Sequence, residues 1–132
     1  MAWLALGCER SPTHPVDPVW GKEPCSHCAM LVSDRGFAAQ LTTFPGRRHF
    51  FDDVGCMVAF EDDRSPVVRA HWVHDGEGPA WLAVGEATFA DGGRTPMDFG
   101  FVAKRSGGAL AWADVERAVR ARLEKARHDA SR

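Results

Sequence analysis

Residues 36–63, GFAAQLTTFPGRRHFFDDVGCMVAFEDD, decide how the chain folds. Two β-prone runs flank Phe44-Pro45-Gly46-Arg47, a turn signal suited to a hairpin. The period then changes. Asp52 and Asp53 most economically cap a helix, and Val54, Met57 and Val58 recur at helical spacing behind them. Residues 37–63 therefore predict strand, strand, short helix. Within that helix Met57 falls on the apolar stripe, and Cys56 reads as a small apolar residue.

Downstream, the same order returns on a larger scale. PVVRAHWVHD (66–75) and AWLAVGEATFAD (80–91) are strand-like, and FGFVAKR (99–105) is a third strand after the turn-rich GGRTPMD. From Ala111 the pattern is helical, with Val115, Ala118, Val119 and Leu123 on one stripe and Arg117, Arg120, Glu124 and Arg127 elsewhere. That helix is expected to end near Arg127. Two strand-then-helix blocks predict an α+β fold in one compact domain, following an extended N-terminal segment. The expected boundaries are an apolar start at 1–8, a proline-rich tether at 9–24, a metal-binding domain at 25–128 and a tail at 129–132.

With 132 residues the chain buries roughly two-thirds of its unfolded surface, so a metal is optional for folding. A net charge of −2 carries no electrostatic footprint for nucleic acid. Function must therefore be read from a site.

Upstream of the hairpin lies EPCSHCAM (23–30), with two cysteines, a histidine and a methionine. Cys25 and Cys28 have the Cys-x-x-Cys spacing that brings two thiolates to one metal. A structural zinc site normally adds a second such pair, and none exists here. Cys56 with His49 or His71 could complete one in space, so zinc stays open. A thioredoxin-type redox motif fits less well, because Pro24 and the proline-rich run replace the strand that should come first. Met30 points to a softer ion, since thiolate plus thioether selects Cu(I). If the chain is extended there, Cys28 and Met30 share a side. Met97 sits in a polar turn where a core-filling methionine is not expected. His27 is the best histidine candidate, while His49, His71 and His74 read as strand residues. His27, His49 and Asp52 would be the places for a second metal.

Cys8 closes LALGC, which is similar to a bacterial lipobox, with Ala5 where leucine is usual. The alternative is an apolar start with an incidental cysteine. No other run approaches a membrane span.

Three segments in this order, DPVWGKEPCSHCAMLVSD (17–34), FFDDVGCMVAF (50–60) and TPMDFGFVAKRSG (95–107), with the closing helix, resemble the NosL family of copper-delivering lipoproteins. The resemblance runs from about Asp17 to Val119. It implies a periplasm-facing Cu(I)-binding metallochaperone of the bacterial cell envelope, not an enzyme, held at the membrane by a lipid on Cys8. Its implied client is a cuproprotein, nitrous oxide reductase or a relative, and its copper would come from a donor protein. The family's Cys-Gly-Met core falls on Cys28-Ala29-Met30 and its Pro-Met turn on Pro96-Met97. Cys28, Met30 and Met97 are thereby implied as copper ligands, with Cys25 and His27 as further candidates. The family fold is similar to a pair of ββα units and is related to organomercurial lyase. That relation keeps one enzymatic alternative in view, carbon–mercury cleavage by paired cysteines and Asp52 or Asp53, although the spacing alone fixes no such geometry.

Overall fold

The computed structural model describes residues 12–132; the apolar run ending at Cys8 lies outside them. Ala39–Thr43 (β1) and Arg48–Phe51 (β2) form the expected hairpin, and Val54–Arg64 (α1) follows at once. Gln40 pairs with Phe50 and Leu41 with His49 across it. Val68–His74 (β3) joins the other edge of β1, and Trp81–Ala83 (β4) joins β3, so the sheet order is β2-β1-β3-β4, antiparallel throughout. Thr88–Asp91 (β5) and Phe101–Lys104 (β6) make a second, two-stranded sheet, and Trp112–Ala130 (α2) ends the domain.

The fold is α+β, as expected, with β1-β2-α1 and β5-β6-α2 as its two units. Two details differ. The run 80–91 is two strands rather than one, because the Glu86 and Ala87 amides both turn back onto the Ala83 carbonyl. This turn leaves β4 with the larger sheet and sends β5 to the smaller. The last helix also continues three residues past Arg127.

Alternation along β1 sorts its side chains onto two faces. Leu41, Phe51 and Val73 look into the core, where Phe60 of α1 meets Phe51 at 5.3 Å and Val115 and Val119 of α2 are buried. Each fully buried side chain of this size contributes about 1.5–3 kcal/mol.

On the other face, Gln40 and Thr42 are buried by the chain's own N-terminal segment. Expected as an extended tether, that segment is docked from Pro12 onward. Gln40 gives Val16 both an acceptor (3.1 Å) and a donor (2.9 Å), standing in for a strand partner that the proline-rich run cannot supply. Thr42 Oγ1 donates to the Pro12 carbonyl at 2.6 Å, and Arg48 to the His14 carbonyl at 2.8 Å. Farther on, Trp20 stacks on Trp81 at 6.2 Å and meets His74 edge-on.

Candidate metal centre

The strap leads straight into the Cys-x-x-Cys loop. Pro24 and Leu31 form an isolated antiparallel bridge, and inside it the Cys25 amide donates to the Met30 carbonyl at 2.7 Å. The Ala29 amide returns to the Cys25 carbonyl, closing a turn in which Ala29 has φ +66°. A Cβ is unfavourable there by roughly 1–2 kcal/mol. Chain extension between Cys28 and Met30, the condition for both to face one side, is therefore absent. The Ser26 amide donates to the Phe50 carbonyl at 2.8 Å, which fixes the loop against the end of β2.

There the loop meets the start of α1. Ligand atoms of Cys25, Cys28, Asp52 and Cys56 all lie within 4.8 Å of one another. Cys28 Sγ donates to Asp52 Oδ1 at 3.3 Å. Cys25, Asp52 and Cys56 are buried and Cys28 is half-buried, so the cluster reaches solvent on the Cys28 side. The positive end of α1 favours anionic groups at this point.

The three thiols are not equivalent. Cys25 is lowered to about 6, chiefly because the Cys56 thiol donates to it, against the opposing effect of burial; the amides of Cys28, Asp52 and His27 add to the lowering. Cys28 is pushed up to about 12, mainly by burial. Cys56 is also raised, first by the hydrogen bond it gives Cys25 and then by burial. Without metal the cluster thus presents one thiolate, Cys25, flanked by two thiols.

Sequence reasoning read Asp52 most economically as a helix cap and Cys56 as packing, with both kept as candidate ligands; Cys56 is indeed buried in the core, and both join the cluster. The cap is Asp53, whose Oδ1 accepts from the Gly55 amide at 3.0 Å. Asp53 Oδ2 also accepts from Thr95 Oγ1 at 2.6 Å and from the Met97 amide at 2.9 Å. With the cap taken, Asp52 is available to Cys28. Asp52 lies just ahead of the Asp53 cap and Cys56 in the first turn of α1, so the helix start carries both to the cysteine loop.

Cys25 and Cys28 meet as the spacing predicts. Met97 is carried to the same end of α1 by the Asp53 clamp, with its side chain 37% exposed. Met30 is 55% exposed beside the cluster loop. His27 faces a groove between α1 and α2 lined by Ala59, Asp62, Leu123 and Arg127. His49 bonds Ser26 Oγ at 3.1 Å, His71 pairs with Glu61 at 3.2 Å, and His74 donates to the Asp75 carbonyl at 2.9 Å. No histidine is among the four clustered residues.

No protein-family model and no curated protein matches the sequence. Among solved structures, the copper chaperone NosL from Shewanella denitrificans superposes with a TM-score of 0.62, covering 83% of this chain and 88% of that one at 17% identity. The chain has the NosL fold. That neighbour is a copper chaperone, and this chain combines the fold with a Cys/Asp cluster able to hold a metal ion.

Proposed function

We propose that the protein is a Cu(I) carrier of the bacterial cell envelope that loads the ion at Cys25 and Cys28 and surrenders it to a client cuproprotein, nitrous oxide reductase or a relative. The observation that carries this reading is the convergence of three sulfurs within 4.8 Å. Thiolates are soft ligands, and Cu(I) accepts the low coordination that two or three of them provide. The Cys25 thiolate binds first, and Cys28, on the solvent side, completes the pair. Exposed thioethers at Met30 and Met97 supply neutral sulfur at the rim, where an incoming client ligand can bind before a thiolate leaves. Such stepwise exchange keeps the ion held throughout its transfer. Lipidation at Cys8 would hold the carrier at the membrane, facing the periplasm, with a copper-donor protein upstream.

A Cu(I) titration against a chromogenic competitor tests this directly. Cys28→Ala is expected to lower affinity at least about a hundredfold. Met97→Ala is expected to lower it less and to slow transfer; unchanged affinity and unchanged transfer would remove Met97 from the function.

A second reading has one observation in its favour. Asp52 makes the set three sulfurs and one oxygen, enough to close a tetrahedral zinc site. Native mass spectrometry separates the two, because zinc retained through a copper challenge supports the structural site. The same carboxylate beside paired thiols is what carbon–mercury protonolysis requires. Hydrocarbon released from an alkylmercury thiolate would move the protein into that enzymatic class.

A further inference from the structure

The described chain enters the domain at the end of the sheet opposite the thiols. Pro12 is held by Thr42 near the β1–β2 turn, Val16 by Gln40 midway, and Trp20 lies against Trp81 and His74 before the cysteine loop begins. α1 spans the same distance in reverse, from Cys56 in the cluster to Arg64 at the turn end, a rise of about 12 Å.

At that far end two connections meet. The Phe44 amide donates to the Val67 carbonyl at 3.0 Å, tying the β1–β2 turn to the α1–β3 link. Both side chains project outward, Phe44 56% and Val67 66% exposed. Segments 43–47 and 64–69 contain Arg47, Arg64 and Arg69 and no acidic residue. Arg69 lies over the Phe44 ring at 4.9 Å, and no ion pair among the described residues involves Arg47 or Arg69. Arg64 pairs with its neighbour Asp63 on the surface and lies over the Phe60 ring at 5.7 Å.

Apolar side chains held on a rigid turn and ringed by arginines match a bilayer interface, where the rings enter the headgroup layer and the guanidiniums meet anionic lipid. The chain upstream points the same way. Cys8 precedes Pro12 by four residues, at most about 14 Å of extended chain.

We propose that the Phe44–Val67 tip, with Arg47, Arg64 and Arg69, rests on the surface of an anionic bilayer and turns the thiol cluster away from the membrane toward the client. The orientation rests on the reading of Cys8 as lipidated; the tip's own affinity for lipid does not. Two measurements keep these apart.

The first follows backbone hydrogen exchange in the lipidated full chain on phosphatidylethanolamine vesicles containing phosphatidylglycerol, against the Cys8→Ser chain in solution. Slower exchange at 43–47 and 64–69 is expected. No change there, or slowing at 19–31 instead, overturns the proposal. The second measures partition of the unlipidated Cys8→Ser chain onto the same vesicles at low salt. Arg47→Gln and Arg69→Gln are each expected to reduce it about fivefold, and Arg117→Gln on α2 to leave it unchanged. Absent partition, or equal partition of all variants, overturns the tip's role. An unmodified Cys8 in membrane-extracted protein would remove the anchor alone.

Discussion

The Cys28 thiol donates to Asp52 Oδ1 across 3.3 Å, joining residues 24 positions apart in the chain. This bond connects the cysteine loop to the helix start, and it shows which of two adjacent aspartates serves the cluster. Metal selectivity should follow from it. Asp52→Ala removes the one oxygen donor and leaves three sulfurs, so zinc affinity should fall at least about tenfold. Cu(I) affinity should change only slightly. Competition titrations with both ions check this, and an equal loss for both would place Asp52 among the copper ligands.

Thiol ionisation can be followed cleanly, because the chain contains no tyrosine to overlap the thiolate band at high pH. In metal-free protein one thiolate should form around pH 6, and it should vanish in Cys25→Ala. Cys28 should ionise only near pH 12. The sign for stability follows. Cys25 is lowered from 9.0 to about 6, so its contribution grows as pH rises through that interval and is lost on acidification. Cys28 is raised, so its contribution holds below 9.0 and declines above it. The urea midpoint should therefore climb from about pH 6 to about pH 9, with a shallower slope in Cys25→Ala.

Asp53 accepts three hydrogen bonds while buried, from Gly55, Thr95 and Met97. Asp53→Ala leaves those donors unpartnered and uncaps α1, for an expected loss of about 2–4 kcal/mol by denaturant unfolding. The Met97 turn should also loosen, seen as faster hydrogen exchange at 95–100. Loss of stability without loosening would show that Phe99, packed over Gly55, holds the turn unaided.

Ala29 occupies a left-handed conformation at φ +66°. Ala29→Gly should stabilise the metal-free protein by about 0.5–1 kcal/mol, the relief of the Cβ clash being partly offset by greater freedom of the unfolded chain. Thermal unfolding checks the sign. A lower midpoint would mean that alanine's stiffness outweighs the clash.

Gln40 shows how far the strap belongs to the fold. Gln40→Ala deletes both bonds to Val16 and the acceptor for Arg48 Nη1 at 2.6 Å, in a fully buried position. Limited proteolysis should then cut within residues 12–20, and the same residues should resist cleavage in the parent chain. Equal resistance would assign the docking to the Trp20–Trp81 stack instead.

The hairpin at 39–51, the helix behind it and the apolar stripe of the last helix were legible in the sequence, because turn chemistry and side-chain period are local properties. The Cys25–Cys28 pair was legible for the same reason, its two members being three residues apart on one turn. The rest of the cluster was legible only as alternatives. Asp52 reads locally as a cap and Cys56 as packing, and only the neighbours that reached them from elsewhere settled their roles. The Thr95–Met97 turn reinforced Asp53 as the cap, and the loop at 25–30 brought sulfur to Asp52 and Cys56. The strap was hidden likewise, since a proline-rich run shows no partner until the Gln40 amide is placed against it. Local spacing fixed which elements form, whereas long-range hydrogen bonds, which no periodicity encodes, decided which side chains share a site.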